Sequence, residues 1–304
     1  MSQVSVEEKR SLNLRIALGL AVLYVVWGSV YIAVKEAVNY WPPFLLVGIR
    51  FFIAGLTLLI WARIRKKPWP TQRKQWRNVF FVGLLMVTGT NGAITWGLQH
   101  VDSGLAAVLV ATMPLWLILL ESLRPGGDRP HYLAFVGIAL GLVGVSLLVQ
   151  PNIGVPENIQ TLLGQIAILT AAMAWAAGSI FMRQFTMPTS VVMGTALQMM
   201  FGGVILVIIG LILGEPQQWP TTFEWTPMLA FLYMTFVSSV IAYSAYQWLI
   251  RNTRPALVAT YAYVNPVIAI FLGVWIAQEV LNLNIFIGST LVLVAAFLIQ
   301  RIRN

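Results

Sequence analysis

Ten separate stretches of this chain are each long and apolar enough to cross a bilayer, and no other feature constrains the fold as much. They run roughly 14–34, 43–62, 78–98, 104–123, 132–149, 162–182, 190–213, 227–250, 256–277 and 284–300. A spanning helix needs about 20 apolar residues to traverse the hydrocarbon layer. The prediction is therefore an all-α integral membrane protein with ten transmembrane helices. Pro42-Pro43, Pro125-Gly126-Gly127, Pro151, Pro188, Pro216 and Pro255 punctuate the runs, as residues that end or start helices should. Short connections consume what remains of the 304 residues, which leaves no room for a soluble domain. Composition agrees, with 59% hydrophobic residues, 10% charged and a mean hydropathy of +0.80. An ordinary soluble domain is about one-quarter charged.

The few charges are placed asymmetrically. With the N-terminus inside, 17 of the 19 Lys and Arg residues fall on inner segments, the largest group being Arg63, Arg65, Lys66, Lys67, Arg73, Lys74 and Arg77. Lys35 near an outer end and Arg50 within the second span are the exceptions. The outer loops carry Asp102, Glu157, Glu215 and Glu224. This is a positive-inside pattern, which predicts a multi-pass protein of the plasma (inner) membrane with both termini cytoplasmic. The net charge of +9 and pI near 10.1 are then an orientation signal, and no nucleic-acid partner is expected. Residues 1–13 are polar and the first apolar run is a full span without a small-residue cleavage site, so no cleavable signal peptide is expected. Trp41, Trp69, Trp76, Trp219 and Trp225 stand at predicted span ends, where tryptophan anchors in the interface.

The chain has no cysteine and two histidines, His100 and His131. That excludes disulfides, thiolate metal sites and cysteine nucleophiles, and neither a metal nor a cofactor is expected.

An internal repeat organises the spans. An offset of 148 places Trp27 on Trp175, Lys35 on Arg183 and Arg50 on Gln198; an offset of 152 places Trp96 on Trp248, Leu105 on Leu257, Ala107 on Ala259 and Pro114 on Pro266. Gly137 and Leu140 fall on Gly288 and Leu291 at an offset of 151. Shared leucine and alanine mean little in apolar helices, but paired Trp and Pro matches in the same order indicate a duplication. The expected units are a tail (1–13), a five-span half (14–149), an outer linker (150–161), a second five-span half (162–300) and a tail (301–304). An odd number of spans per half sends the second half through the membrane in the opposite sense. Inverted-topology repeats are a common design of secondary transporters, with the site near the midplane between the halves.

Several short motifs recur in the order of a known family. They are Trp27-Gly28-Ser29 in the first span, Arg50 in the second, the Thr112-Met113-Pro114 and Asn265-Pro266 turns, Gly137-Ile138-Ala139-Leu140-Gly141 in the fifth and Glu279 closing the ninth. On these the chain, over essentially residues 14–300, resembles an EamA-type member of the drug/metabolite transporter superfamily, and within it the YedA/YddG-like exporters. The resemblance implies efflux of small metabolites, amino acids or drugs through a central pathway, with the fifth and tenth spans apart from it. The segment from Glu121 to Asp128 is longer than the family's usual glutamate-containing turn.

Polar side chains inside spans need a partner or a watery cavity. Thr88, Asn91 and Thr95 are spaced to share one face of the third span, and Ser239, Tyr243, Tyr246 and Gln247 form a similar face on the eighth. The 152 offset puts Asn91 on Tyr243 and Thr95 on Gln247. Such faces line a pathway, or they join helices by hydrogen bonds. Pro114 and Pro266 each remove a backbone hydrogen bond near mid-span, making either a hinge or helix break or a tolerated kink. Tyr261, Tyr263 and Asn265 precede the second proline. Trp27, Tyr31, Trp96, Trp116, Trp175, Tyr243 and Tyr246 lie within spans; rings there stack on aromatic or cationic solutes or serve ordinary packing. Ser29 and Ser179 follow the repeat-related tryptophans. The candidate substrate-binding set is Trp27, Ser29, Tyr31, Asn91, Thr95, Trp96, Trp175, Ser179, Tyr243, Tyr246, Gln247, Tyr263 and Asn265, with Pro114 and Pro266 as helix breaks.

No Asp or Glu occupies a mid-span position; Glu36, Glu121 and Glu279 lie near span ends. Proton-coupled cation antiport usually needs such a carboxylate, so facilitated diffusion or another coupling gains weight. Arg50 is open to three roles: pairing with a helix end, attracting an anionic group, or snorkelling to the boundary. Gly137, Gly141 and Gly144 allow close helix contact, within a monomer as the expected state or in a homodimer as the alternative. The function expected is a secondary transporter that exports small metabolites by alternating access through a cavity between the repeats. Its partners are a small-molecule substrate and the bilayer, and the alternative is an uncoupled facilitator or channel. A channel would want a charged ring or filter. An intramembrane enzyme is disfavoured by the lack of any nucleophile–base pair, H-E-x-x-H motif or paired carboxylates, and the loops are too short for a receptor's ligand domain.

Overall fold

The computed structural model describes residues 6–38, 40–101, 106, 109–123, 131–149, 158–265, 267–268 and 283–301. Among these residues the regular structure is helical, without strands. We number the helices in chain order: α1 Val6–Val38, α2 Pro43–Ile64, α3 Arg73–Gly97, α4 Met113–Ser122, α5 Tyr132–Val149, α6 Ile159–Gln184, α7 Val191–Ile212, α8 Trp225–Asn252, α9 Pro255–Ala259 and α10 Leu283–Arg301. Six of them (α1, α2, α3, α6, α7 and α8) are long and apolar enough to cross a membrane. The others overlap the remaining predicted runs, α4 and α5 as shorter apolar helices. Pro266 and Glu279 lie outside the described residues, as do Asp102, the 124–130 connection and most of the linker.

Helix starts follow local chemistry. Asn158 Oδ1 accepts from Thr161 N (2.9 Å) at the head of α6, and Ser190 Oγ accepts from Met193 N (3.3 Å) at α7. These side-chain caps satisfy N–H groups that a helix cannot bond internally. The α2 start has no such cap residue, because Pro42 and Pro43 precede its first free N–H groups. A carboxylate from elsewhere does the work: Glu215 accepts from Phe44 N (2.9 Å) and Leu45 N (2.7 Å). The negative charge also suits the positive end of the helix dipole. Glu215 is buried in a short 3₁₀ turn after α7, so this one side chain joins α7 to α2. The sequence placed it in an outer loop without a task.

Both α3 and α8 contain long π-helical segments, Leu84–Gly92 and Tyr233–Tyr243. A π-helix bonds from i to i+5 and is frequent at functional sites. Side chains follow the wider turn: Thr90 Oγ1, Asn91 Nδ2 and Ser239 Oγ donate to Leu85 O, Met86 O and Met234 O, each five residues back.

The helices pair across the molecule. α2 packs most extensively on α7, and α5 on α10; α1 lies on α8, α6 on α3 and α4, and α4 on α9. Where α2 crosses α7, Gly48 and Gly203 face one another. A Cβ on Gly203 would stand 2.7 Å from Phe52 N and 2.8 Å from Gly48 O. Small residues permit this backbone approach, which drives association where water is absent. Gly141 and Gly144 act likewise, under the Tyr263 ring and against Gly288 and Val292 of α10, so the α5 glycines serve packing within the chain.

The α2–α7 crossing makes a prediction. Gly203→Ala must displace backbone, and overpacking of this kind costs about 1–3 kcal/mol. A lowered melting temperature in detergent is expected. Gly194→Ala, on the same helix but facing the flexible Arg251 Nη2 tip at 3.3 Å and Pro188 at an ordinary 3.7 Å, should melt close to wild type.

Candidate functional site

The largest polar and aromatic concentration lies where α1, α6, α8 and the segment after α9 meet. Trp175 and Ser179 are four residues apart on α6, so they present to the same side. Tyr246 of α8 fills the space before them. Its hydroxyl accepts from Trp175 Nε1 (2.8 Å) and lies 2.6 Å from Ser179 Oγ. Ser179 Oγ also bonds the Trp175 carbonyl (2.7 Å). Trp27 of α1 covers this group, its ring centroid 5.6 Å from Trp175, 5.5 Å from Tyr246 and 4.8 Å from Tyr261. Tyr243 stands edge-on to Trp175 at 5.7 Å and Phe51 of α2 lies 6.1 Å from Tyr243. Edge and tilted contacts of this kind are the favoured arrangements of aromatic rings. Trp27 is the half-buried member of the set, whereas Trp175, Tyr243 and Tyr246 are buried.

An amide pair adjoins the rings. Gln247 Nε2 donates to Gln198 Oε1 (2.7 Å), and Tyr243 OH donates weakly to the same oxygen (3.5 Å). Gln198 Nε2 and Gln247 Oε1 are buried without a partner among the described residues. One spare donor thus sits beside one spare acceptor, at a depth where unmade hydrogen bonds are costly. Arg50 lies on another flank. Its Nε donates to Ser239 Oγ (2.9 Å) and Nη2 to Ser238 Oγ (3.2 Å), with Nη1 3.7 Å from Met234 Sδ. The Ser238 carbonyl accepts from Trp27 Nε1 (3.5 Å), linking the Arg50 group to the rings. Ser29 Oγ and Tyr233 OH, 2.5 Å apart, join α1 to α8 one turn further along.

The structure thus brings together Trp27, Ser29, Trp175, Ser179, Tyr243, Tyr246 and Gln247 from the sequence-derived set. Others go elsewhere. Thr88, Asn91 and Thr95 were expected on one face at α-helical spacing, but the π segment changes the period. Thr88 Oγ1 donates to Gly202 O (3.1 Å), Asn91 Nδ2 to Met86 O (3.0 Å) and Thr95 Oγ1 to Asn91 O (2.7 Å). α3 instead reaches the amide pair through Met86, whose sulfur lies 3.9 Å from Gln247 Nε2. Trp96 packs edge-on against His100 (4.9 Å) at the end of α3. Tyr263 is buried against Gly141 of α5, and Tyr261 takes the place beside Trp27. Asn265 is buried, with Oδ1 unpartnered among the described residues. The Tyr31 side chain and Pro266 lie outside the described residues.

Pro114 sits in the first turn of α4, after a break at Ala111-Thr112. Proline is well tolerated there because that N–H would be free anyway. Thr112 closes the break, donating to Leu109 O (2.6 Å) and accepting from Trp116 Nε1 (3.2 Å). A matching interruption occurs at Thr260 after α9, whose Oγ1 bonds Leu257 O (2.7 Å) and lies 2.6 Å from Tyr24 OH.

Gln198, Ser238 and Tyr233 were missed as site residues, and Tyr261 was named beside the second proline but left out of the candidate set. The 148 offset that pairs Arg50 with Gln198 was the available signal for Gln198.

Comparison with known proteins adds four facts. The model of the EamA-like transporter family matches residues 14–150 and again 162–301. The chain is 38% identical over 265 residues to an uncharacterized inner membrane transporter, YedA, of Escherichia coli K12, covering 86% of this chain and 83% of that protein. It is 24% identical to a probable amino-acid metabolite efflux pump of the same organism, covering 90% and 91% of the two chains. A solved crystal structure matches with a TM-score of 0.76 at 20% identity over 93% of this chain and 95% of that one, a likeness of fold.

Tyr246 is the hub of the ring cluster. Tyr246→Phe strands the buried Trp175 N–H, for which about 1–3 kcal/mol is expected. Thermal denaturation in detergent should register that loss; an unchanged melting temperature would show that the hydroxyl is not a structural tie.

Proposed function

The chain belongs to the EamA-like transporter family, and we propose that it is a secondary transporter exporting small metabolites by alternating access between two inverted five-helix repeats, 14–149 and 162–300. The cargo is drawn from amino acids, aromatic or amphipathic solutes and drugs. The observation that carries this reading is the contact of Trp27 with Trp175. The 148 offset makes them equivalents, and equivalent residues touch only near the axis relating two halves. The pairings of α2 with α7, α4 with α9 and α5 with α10 follow the same rule. Two separate family matches, one per half, support the duplication further.

On this reading the site lies where inverted-repeat transporters place it, at the interface of the halves. Its rings, hydroxyls and amides suit a solute with an apolar body and a few polar groups. Ties between the halves exist at both ends. At one end Tyr40 OH donates to Thr222 O and Trp41 packs on Trp219. At the other, Gln75 and Asn78 of α3 donate to Met187 O and Thr186 O in the α6–α7 connection. Alternating access requires these two sets to open in turn.

A second reading, an uncoupled facilitator, is favoured by the disposition of charge. No Asp or Glu stands mid-span in the sequence, and the buried carboxylate of Glu215 is committed to two backbone N–H groups at the start of α2. The YedA relative is an inner membrane transporter, and the plasma (inner) membrane is the location we propose here, with cytoplasmic termini on the loop-charge pattern and a monomeric state.

Purified protein in liposomes tests the function. Solute flux should saturate and be accelerated by solute on the far side; non-saturating flux sinks the carrier reading. A pH gradient should leave the initial rate unchanged if the facilitator reading holds. Trp27→Ala, Tyr243→Ala and Gln247→Leu should insert normally, and loss of one good contact, worth about 1.4 kcal/mol, slows flux about tenfold. Three variants with wild-type flux would discard the site.

Orientation has a clean test, because the chain has no cysteine to remove. Thr71→Cys should react with an impermeant maleimide only from the cytoplasmic side and Thr221→Cys only from the opposite side, as the loop charges predict. The reverse labelling would invert the assignment.

A further inference from the structure

Seven basic residues, Arg63, Arg65, Lys66, Lys67, Arg73, Lys74 and Arg77, crowd the end of α2 and the start of α3, and all are exposed. The sequence has no Asp or Glu between Glu36 and Asp102, and none of the seven is ion-paired among the described residues. Orientation in the membrane needs only that such charge lie on the inner side. The structure of this turn goes beyond that need.

The backbone of α2 ends in a Schellman turn, in which Lys67 N donates to Ala62 O (2.9 Å) and Lys66 N to Arg63 O (3.0 Å). That turn holds Lys66 at φ 52°, the one left-handed non-glycine residue among those described. Glycine takes this position without strain, whereas a side chain is disfavoured there, and such outliers gather at functional positions. A lysine needed only for orientation would serve equally well at a neighbouring position.

The charges are also braced on rings. The Arg63 guanidinium carbon lies 5.2 Å from the Trp69 ring centroid, and that of Arg65 lies 5.8 Å from Trp61. Trp69 stacks on Trp76 (5.9 Å), Trp76 stands edge-on to Phe201 of α7 (6.4 Å), and Phe201 edge-on to Phe80 (5.6 Å). A continuous strip thus runs from guanidinium through exposed tryptophans to an apolar wall. That is the order of headgroup, interface and hydrocarbon chain in a lipid. Arg73, Trp76, Arg77 and Phe80 recur at i, i+3, i+4 and i+7, so they share one exposed face of α3. The other face is buried, where Gln75 and Asn78 donate to Met187 O and Thr186 O. The exposed face is therefore fixed in place by the protein alone.

We propose that the α2–α3 turn is a seat for an anionic phospholipid, with the headgroup phosphate among Arg63, Lys66, Arg73 and Arg77 and the chain along Trp76 and Phe80. Basic clusters of this size on the cytoplasmic side of a spanning helix recognise anionic headgroups. The uncompensated positive charge selects a net-negative headgroup over a zwitterionic one with the same phosphate. The seat shares no residue with the ring cluster and stands whether or not the protein transports.

The experiment titrates the full chain in detergent with dioleoyl phosphatidylglycerol or dioleoyl phosphatidylcholine and counts bound lipid by native mass spectrometry. The first phosphatidylglycerol should bind at least about tenfold more tightly than the first phosphatidylcholine, since each nearby Lys or Arg contributes about fivefold. Lys66→Gly should weaken it about fivefold while melting at or above the wild-type temperature, because glycine suits the left-handed turn. Arg73→Gln, which leaves that turn intact, should weaken it by the same factor. Trp69→Ala keeps every charge and should still weaken it about threefold, through loss of the ring beneath Arg63. Arg15→Gln, which removes an exposed charge from α1, should leave it unchanged. Equal binding of the two lipids by wild type, or undiminished phosphatidylglycerol binding in folded Lys66→Gly, Arg73→Gln or Trp69→Ala, overturns the proposal. A loss in Arg15→Gln equal to that in Arg73→Gln also overturns it, because a diffuse field would then account for the binding. Displacement of the lipid by inorganic phosphate or polyglutamate overturns it in favour of a soluble anion or an acidic protein segment.

Discussion

A polar group carried into hydrocarbon has to be satisfied by the protein itself, and the interior of this chain is arranged around that requirement. Thr88 spends its hydroxyl on the Gly202 carbonyl, Ser179 on Trp175 and Tyr246, and Glu215 on the bare start of α2. Each bond fixes one helix against another, so satisfaction and tertiary structure are the same event. The glycines at the α2–α7 crossing complete the arrangement, because backbones that approach this closely hold side-chain donors in register with the carbonyls opposite. Groups left over include the spare amide ends of Gln198 and Gln247, which adjoin the ring cluster.

The π-helical segments of α3 and α8 set the site's geometry. Widening the turn rotates the residues that follow relative to an α-helix, so Tyr243, at the end of Tyr233–Tyr243, and Tyr246 beyond it take a phase that regular spacing does not give. The same widening lets Ser239 bond the Met234 carbonyl while it accepts from Arg50. A regular α8 would carry the same residues and aim them differently.

That explains which parts were legible in the sequence. Apolar runs gave the helices, because length and hydropathy are local properties. Trp27 and Trp175 were legible through the repeat, and Ser179 by following one of them. The shared face of Thr88, Asn91 and Thr95 rested on 3.6 residues per turn, which the Leu84–Gly92 segment does not keep. Tyr261 and Tyr263 part company for a related reason. Two residues apart on a helix, they point to nearly opposite sides, and the interruption that sets their phase is at Thr260 rather than a proline. A threonine hydroxyl bonded back to its own helix leaves no mark in composition. Arg50 was visible as a charge in a span, but its serine partners on α8 are a three-dimensional fact.

On the proposed duplication, the two halves agree where they build the box and differ where a solute must be oriented. Trp27 and Trp175 are the same residue in both halves, and a pair related by a two-fold axis cannot by itself tell one end of a molecule from the other. Arg50 and Gln198 occupy equivalent positions with different chemistry, one cationic and one a neutral amide, and both reach α8 beside the rings. A solute lying across the axis therefore meets a charge on one side and an amide on the other. Duplication followed by divergence at this pair converts a symmetric aromatic box into one with a direction, without disturbing the helix crossings that hold it.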